Sequence, residues 1–364
     1  MSPSAEIFKT KPCKEEDEEE GEEETYSYAM QLSMSVVLPM AMHTAIELGV
    51  FEIIAKAGPG VKLSAPEIAA QTPTRNSNAP MMLDRILRLL VSHRVLDCSV
   101  FQGERRYGLA PVSKYFVRNQ DGVSLGSFMA LPQDNVFLDS WSQLKDAILE
   151  GGIAFNRVHG MHLFEYAATD SRFSEVYNNA MFSHTTIVMN RILESYKGFE
   201  GMKKLVDVGG GLGITLATIT SKYPHIMGVN FDLPHVIQRA PSFPGVEHVG
   251  GDMFQSIPKG DAIFIKWILH CWDDDHCLRL LKNCYDAIPD DGKVIVLNAV
   301  ISELPETSNA ARETSLLDVL LLTRDSGGKE RTKPEFIALA TGAGFKGINF
   351  VCYQCNFHVM EFFK

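Results

Sequence analysis

The sequence predicts an α/β protein in which a doubly wound, mostly parallel sheet fills the C-terminal part and a mostly helical region precedes it. Three observations support this fold class. From Lys204 onward, short apolar runs alternate with helical segments, as in consecutive βαβ units. A glycine-rich loop follows the first of these runs. In the region before Lys204, apolar residues recur at helical spacing. In such a sheet the ligand site is expected at the carboxyl ends of the strands.

The composition is that of a folded chain with room for two domains. The chain has 364 residues, of which 45% are hydrophobic, and a net charge of −11. Part of that charge lies in the acidic run from 15 to 24, which repels itself, so we expect residues 1–25 to form a disordered tail. There is no basic stripe, which argues against a nucleic-acid partner. No apolar stretch approaches twenty residues and the start lacks a signal-peptide pattern, so we expect a cytoplasmic protein without membrane contact.

Cysteine and histidine usage gives little support to a metal site. Seven cysteines, an odd count, predict reduced thiols. Residues 270–277 contain two histidines, two cysteines and three aspartates. Zinc is disfavoured there because ligands so crowded cannot all point at one tetrahedral centre. We therefore expect no metal, and we interpret Asp273 to Asp275 as the acidic first turn of a helix.

The region 26–120 is predicted to be a winged-helix-like dimerisation domain. Its predicted elements are helical spacing across 26–60, a capping box at Ser64–Glu67, an amphipathic helix at 83–90 and two strands of a hairpin at 95–98 and 106–109. The large apolar load on the first helical stretch suggests a subunit interface. A DNA-binding wing would need clustered lysine and arginine, which this one lacks, so dimerisation is the expected role.

Two further regions complete the predicted organisation. Residues 121–200 read as a helical linker that contributes to a substrate pocket, and residues 201–364 as the sheet domain. The predicted strands of that domain are 205–208, 228–231, 246–249, 262–267, 293–298, 348–352 and 358–362.

The loop after the first strand predicts the cofactor. Residues 207–213 read DVGGGLG. In this segment Asp207 is followed by a glycine at every second position, 209, 211 and 213. The dinucleotide pattern GxGxxG does not fit, because Ile214 and Leu216 occupy the places of its last glycine. The arrangement resembles the S-adenosylmethionine (SAM) loop of class I methyltransferases, and a plain glycine-rich turn is the alternative.

The ends of the next two strands carry the residues that a SAM site needs. Asp232 ends the second strand, where a carboxylate can accept hydrogen bonds from both ribose hydroxyls. Asp252 and Met253 follow the third, where they could meet the adenine amine and pack on its ring. A solvent-exposed loop acid is the alternative for either aspartate, but three such segments in order favour a cofactor site.

His270 follows the fourth strand, at the edge where the cofactor is expected. Methyl transfer needs proximity, a dry pocket and a place for the acceptor's proton. Histidine suits the last task because its pKa lies near neutrality. We interpret His270 as the base, with a structural hydrogen-bonding role as the alternative.

Several segments together resemble the plant caffeic-acid-type O-methyltransferase family from about Tyr26 to Lys364. They are DVGGG at 207–211, NFDLPHVI at 230–237, GVEHVGGDMF at 245–254, KWILH at 266–270 and GGKERT at 327–332. The resemblance implies a C-terminal Rossmann-like, class I SAM-dependent methyltransferase domain and a homodimer whose N-terminal region covers the partner's pocket. It also implies His270 as the catalytic base and a SAM site formed by Gly209, Asp232, Asp252, Met253 and Lys266. The acceptor pocket implied by family position comprises Leu131, Phe164, Phe173, Tyr177, Met181, Trp267, Leu317, Leu320 and Leu321.

The departures from the family pattern concern charge. Phenol-methylating members flank the histidine with two glutamates and follow it with an aspartate. Here Glu330 remains, whereas Asn298 replaces the other glutamate and Cys271 replaces the aspartate. By these positions the resemblance implies a catalytic group of His270, Glu330 and Asn298, and it places Cys271 against the acceptor. An aromatic amine attacks through its neutral lone pair and needs less help from a base than a phenol. A pocket that contains fewer carboxylates also repels an anionic acceptor less strongly.

The same substitutions occur in a subgroup that this chain resembles, the plant anthranilate N-methyltransferases of acridone alkaloid formation. Segments 90–99, 269–274 and 312–321 carry that similarity. It implies methyl transfer to anthranilate, giving N-methylanthranilate and S-adenosylhomocysteine. Arg324 is a candidate for the acceptor's carboxylate, although a surface position or pairing with Asp325 is equally compatible with the sequence. Two rival readings are an O-methyltransferase acting on a catechol, phenylpropanoid or alkaloid phenol, and a SAM-binding subunit without activity.

Overall fold

The computed structural model describes residues 16–325 and 327–364, which divide into two compact units with the boundary between Ser113 and Lys114. The first fifteen residues of the predicted acidic tail lie outside the described part of the chain. From Glu16 onward the chain is helical. Residues 16–25 therefore differ from the expected disordered tail, and the reason is that glutamate, although self-repelling here, is a good helix former.

The first unit consists of helices around a small antiparallel sheet with strand order β1-β3-β2. Its elements are α1 (Glu16–Ser33), α2 (Val37–Glu47), α3 (Val50–Lys56), β1 (Leu63–Ser64), α4 (Ala65–Ala69), α5 (Ala79–Ser92), β2 (Leu96–Phe101) and β3 (Glu104–Leu109). The predicted hairpin and the capping box at Ser64 are both confirmed. The helical stretch predicted over 26–60 is interrupted, because Gly49 has φ +69° and separates α2 from α3.

Apolar side chains of the first unit divide into a core and an exposed face. Phe51, Ile68 and Leu87 are completely buried, whereas several large side chains between Tyr26 and Met40 are 40% or more exposed. Such a face is typical of a subunit interface. Within residues 16–325 and 327–364 no single helix is long and apolar enough to cross a membrane, although 21–33 and 37–47, bent by 56° at their break, meet those criteria as a pair.

The second unit begins with a layer of helices. They are α6 (Leu125–Ala130), α7 (Asn135–Trp141), α8 (Leu144–Glu150), α9 (Ala154–His159), α10 (Leu163–Thr169) and α11 (Ser171–Ser195). Asp134 and Asp170 cap α7 and α11 through their carboxylates, which fixes where these helices start. Phe137, Phe155 and Phe173 form the centre of an aromatic cluster within this layer. Residues 121–200 thus belong to the same compact unit as the sheet.

A seven-stranded sheet with the order β6-β5-β4-β7-β8-β10-β9 forms the rest of the second unit. Its elements are β4 (Lys204–Val208), α12 (Ile214–Lys222), β5 (Met227–Asp232), α13 (Pro234–Ile237), β6 (Val246–Gly250), β7 (Ala262–Lys266), α14 (Asp274–Ala287), β8 (Lys293–Asn298), α15 (Asn309–Arg324), α16 (Lys333–Gly342), β9 (Gly347–Gln354) and β10 (Phe357–Phe363). The strands from β6 to β8 in that order pair in parallel, and β10 and β9 pair antiparallel. The predicted doubly wound, mostly parallel sheet is confirmed.

The strand order reverses at β4, which lies between β5 and β7. In a parallel sheet this point opens a crevice outside the carboxyl ends of the strands. Each predicted strand is present, with one difference beside the crevice. Residue 267 was expected at the end of a strand, but β7 stops at Lys266 and Trp267 has φ +58°, an uncommon conformation for a bulky residue. The chain therefore turns sharply before it reaches His270.

Candidate active site

A cavity of about 480 Å³ lies at the carboxyl ends of β4, β5 and β7, within the second unit. The glycine loop, Asp232, Asp252, Met253 and Lys266 line one end of it, which we call the cofactor end. Side chains from α10, α11 and α15 line the other, which we call the acceptor end together with residues 267–272. The five residues predicted to hold the cofactor therefore all line one cavity.

Two glycines of the loop, Gly209 and Gly210, cannot carry a side chain unless their neighbours move. A Cβ on Gly209, where φ is +70°, would lie 2.4 Å from the side chain of Ile268. A Cβ on Gly210 would lie 2.1 Å from Asn230 Oδ1. The loop is also bound to β5, because Gly211 N–H donates to Asp232 Oδ2 at 2.8 Å and Asn230 Nδ2 donates to Gly211 O at 2.9 Å. The backbone is thus held open beside the cavity.

Three charged groups lie at the cofactor end, of which Asp207 is buried and Asp232 and Lys266 are half-buried. Burial raises the pKa of the Asp207 carboxyl to about 8 and lowers that of the Lys266 ammonium to about 8, while the two opposite charges partly offset this penalty. Burial also raises the pKa of Asp232. Asp207 Oδ2 is buried without a hydrogen-bond partner among the described residues. The Asp232 carboxylate and the bare glycine backbone fit a ligand that carries hydroxyl groups, as the ribose of SAM does.

His270 lies in a short 3₁₀ turn, Leu269–Cys271, and lines the cavity between its two ends. Its Nδ1 is 2.7 Å from Glu330 Oε1, and the two side chains are 2% and 0% exposed. Burial opposes a charge on the imidazole, but the attraction of Glu330 outweighs it and raises the pKa of His270 to about 10. The backbone N–H of Glu330 donates to Asp318 Oδ1 at 2.7 Å. This bond holds the backbone of Glu330 in place, and with it the carboxylate that contacts the histidine. Glu330 itself does not line the cavity.

Arg331 supports the turn that carries His270, and the sequence analysis did not single it out. It is 1% exposed. Its Nη1 donates to Leu269 O at 2.5 Å and its Nη2 to Trp272 O at 2.8 Å, while Nε and Nη2 both reach Asp274 Oδ1. The guanidinium therefore joins the carbonyls on both sides of His270. In the sequence it stands beside Glu330 within the segment GGKERT, and neither its neighbour nor the segment distinguishes a buried arginine from a surface one.

Most of the predicted acceptor residues line the acceptor end. These are Leu131, Phe164, Tyr177, Met181, Trp267, Cys271, Leu317, Leu320 and Arg324. Phe128, Pro132, Phe137, Phe182 and Trp272 also line the cavity and were not predicted as wall residues.

Two predicted wall residues, Phe173 and Leu321, do not line the cavity and are both 0% exposed. Phe173 packs behind the wall against the rings of Phe137 and Tyr166, each with centroids 5.8 Å away. On α15, Leu317, Leu320 and Arg324 line the cavity. Leu321 belongs to the same helical stripe, but it is fully buried and does not reach the cavity.

Asn298 is the last residue of β8, pairs across the sheet with His358 and is completely buried. It does not line the cavity, and neither atom of its amide has a hydrogen-bond partner among the described residues. Asn298 was predicted to reduce the repulsion of an anionic acceptor. Because it does not line the cavity, it cannot do so by touching the acceptor. Cys271, in contrast, lines the cavity and lies next to Arg324.

Comparison with known proteins places the chain. An O-methyltransferase domain model matches residues 141–346, more than half of the chain, and an O-methyltransferase dimerisation domain model matches residues 30–119. The chain belongs to the O-methyltransferase family. The first relative, anthranilate N-methyltransferase of Ruta graveolens, is 69% identical over 352 residues, which cover 96% of this chain and 95% of that protein. Catechol O-methyltransferase 1 of Solanum lycopersicum is 56% identical over 353 residues, covering 93% and 95% of the two chains.

Solved structures of similar fold contain SAM or its product. Human N-acetylserotonin methyltransferase in complex with SAM matches with a TM-score of 0.79 and 22% identity over 93% of this chain and 97% of that one. CalO1, a methyltransferase of calicheamicin biosynthesis in its S-adenosylhomocysteine-bound form, matches with a TM-score of 0.78 and 24% identity over 93% and 98%. At these identities the likeness shows the fold. This O-methyltransferase family member is a SAM-dependent methyltransferase, as its sequence patterns predict.

Proposed function

We propose that the enzyme transfers the methyl group of SAM to the amino group of anthranilate and releases N-methylanthranilate and S-adenosylhomocysteine. The observation that carries this proposal is the buried guanidinium of Arg324 in the acceptor wall, beside the turn that bears His270. Asp325 pairs with this guanidinium from within the protein at 2.8 Å, and a guanidinium has donors enough to bind a second carboxylate. The name of the 69% identical relative from Ruta graveolens agrees with this substrate.

The residues that would hold SAM are Gly209, Asp232, Asp252, Met253 and Lys266. Bound there, SAM supplies an activated methyl group on a sulfonium. The acceptor's nitrogen forms a bond to the methyl carbon while the carbon–sulfur bond breaks, and that electron pair stays on sulfur. The enzyme orients the acceptor toward the methyl group. It does so in a pocket whose wall includes apolar side chains such as Leu320 and Met181.

His270 fits an amine better than a phenol. The Glu330 carboxylate raises the pKa of His270, so at neutral pH the neutral imidazole, which a phenol needs as its base, is the less populated form. A neutral aromatic amine needs no deprotonation before it attacks. The methylated amine then loses its proton to neutral His270 or to water, because an arylammonium ion is a stronger acid than an imidazolium ion.

The finer organisation of the protein is also part of the proposal. We infer a homodimer formed through a winged-helix-like domain at residues 26–120, whose exposed apolar face between Tyr26 and Met40 supports such pairing. Residues 121–200 contribute the acceptor pocket and residues 201–364 hold SAM. We place the enzyme in the cytoplasm and in alkaloid formation. The cysteines of the described residues are free, which agrees with a reducing compartment.

A comparison of methyl acceptors tests the reaction. Purified full-length protein is incubated with SAM and, separately, anthranilate, salicylate, catechol and caffeic acid, and products are identified by mass. We expect N-methylanthranilate with a kcat/KM at least about tenfold above that of any phenol, since a buried charge partner is worth that much or more. A higher kcat/KM for caffeic acid than for anthranilate would overturn the proposal.

An O-methyltransferase is the second candidate, and one observation favours it. The dyad of His270 and Glu330 is intact at 2.7 Å, and a base oriented by a carboxylate is what a phenol requires. In the comparison above, this function would show as methylated catechol or caffeic acid formed faster than N-methylanthranilate.

A further inference from the structure

Arg324 has hydrogen-bonding capacity that the protein does not use. It ends α15, and its side chain is 9% exposed and forms part of the acceptor wall. Its Nε forms an ion pair with Asp325 Oδ2 at 2.8 Å, whereas its Nη2 lies 3.9 Å from Cys271 Sγ, which is a weak acceptor. Buried donors are normally satisfied. This guanidinium can therefore accept a further anionic partner.

The charge on Arg324 persists despite its burial. Burial opposes the charge, but the neighbouring Asp325 outweighs it and raises the pKa of the guanidinium above its ordinary value. The Asp325 carboxylate is itself 0% exposed and has His162 Nε2 at 4.0 Å from its Oδ1. One protein carboxylate thus balances Arg324, and guanidinium groups have donors enough for two. The second place is the one an acceptor's carboxylate would fill.

Cys271 lies beside that second place. Its Sγ is 3.9 Å from Arg324 Nη2 and 3.5 Å from Trp267 O, and its side chain lines the cavity. A thiol is a weak hydrogen-bond acceptor, so it fills the space next to Nη2 without supplying a counter-charge. A carboxylate in the same position would form a buried ion pair with the guanidinium, because bidentate pairing with arginine is strongly favoured.

We propose that Cys271 keeps Arg324 available to the acceptor, so that the residue at position 271 determines whether the pocket prefers an anionic or a neutral aromatic acceptor. This inference rests on the proposed function and names the group that gives it specificity. Cys271 directly follows His270 in the chain. Arg324 and His270 line the same cavity, so a carboxylate bound at Arg324 lies in the same pocket as the base.

The test compares two substitutions of nearly the same shape, Cys271→Asp and Cys271→Asn. Anthranilate and its uncharged analogue 2-aminobenzamide are assayed with each full-length variant and with the wild type. We expect the ratio of kcat/KM for anthranilate to kcat/KM for 2-aminobenzamide to fall about tenfold further in Cys271→Asp than in Cys271→Asn. An equal fall in both variants would show that charge at position 271 does not act on the acceptor, and would overturn the inference.

A binding measurement separates this inference from the proposed reaction. Benzoate is titrated by calorimetry into each protein in the presence of S-adenosylhomocysteine. We expect Cys271→Asp to weaken benzoate binding about tenfold more than Cys271→Asn does. If the wild type forms no N-methylanthranilate yet the benzoate difference is found, the proposed reaction fails and the role of Cys271 stands. If benzoate binds both variants equally, the role of Cys271 fails whatever the reaction is.

Discussion

The two ends of the cavity are built in different ways. The cofactor end consists of backbone and of residues close to three consecutive strand ends, with Gly209, Asp232 and Asp252 at fixed distances along the chain. The acceptor end collects side chains from α10, α11, α15 and the turn after β7, so its members come from distant parts of the sequence. The first construction tolerates little change, whereas the second can change substrate by exchanging single side chains.

A substitution has different consequences at the two ends, because an added side chain causes a steric clash at one and a change of charge at the other. At the cofactor end an added Cβ meets the side chain of Ile268, in the turn after β7, or that of Asn230 on β5. At the acceptor end the groups that matter are charges, and a change of one charge leaves the packing nearly intact. We therefore expect substitutions at the cofactor end to abolish binding and those at the acceptor end to redirect it.

The largest expected effect comes from Gly209→Val. The valine would meet Ile268 and would hold φ +70°, which β-branched residues rarely adopt, so SAM affinity should fall about a hundredfold or more. Calorimetric titration of S-adenosylhomocysteine measures this. Gly201→Ala is the matched control in the same unit, because a Cβ there meets nothing within 4 Å. Undiminished affinity in Gly209→Val would contradict the rigid construction of this end.

The same contrast explains how much the sequence could predict. Strand ends and the glycine loop are local signals, and the five predicted cofactor residues do line one cavity. The acceptor wall depends on helix rotation and packing depth. Family position could place Leu317 and Leu320 on the wall, but it could not tell that Leu321 and Phe173 face the core. Tertiary packing alone decides that difference.

For the acceptor end, the sequence predicted which residues are charged or uncharged, but not which of them lie next to each other. The loss of acids at positions 271 and 298 is visible in the sequence, but the structure separates the two. Cys271 lies on the wall against Arg324, while Asn298 is buried behind it. Arg331 gave no usable signal, because its role comes from carbonyls that no side-chain pattern reveals. Buried polar networks of this kind are the part that needs coordinates.

An intermediate effect is expected from Arg331→Met, which removes the donors that hold the turn at residues 269–272, although Arg331 does not itself line the cavity. The carbonyls of Leu269 and Trp272 would lose their donor, at a cost of about 1–3 kcal/mol each in the free energy of unfolding. The looser turn should lower kcat about tenfold while the KM for SAM stays the same. Steady-state kinetics and chemical denaturation measure the two effects. Arg331→Lys should restore part of kcat, and a change confined to stability would refute the positioning role.

The smallest effect concerns pH and tests whether the acceptor end is suited to an amine. Because the pKa of His270 is raised to about 10, its neutral form is scarce below that pH and grows as pH rises towards it. Anthranilate turnover should vary less than about threefold between pH 6 and 9, whereas catechol turnover should rise with pH.

Glu330→Gln isolates the histidine in this pH test, since it removes the charge that raises the His270 pKa and keeps a side chain of the same shape. Burial, which lowers the His270 pKa, then prevails. The catechol profile should shift to lower pH by about one unit or more, while the anthranilate profile keeps its form. Because catechol's own ionisation is the same with both proteins, a shift between them belongs to the enzyme. Equal shifts for both acceptors would mean that the amine, too, depends on an unprotonated His270.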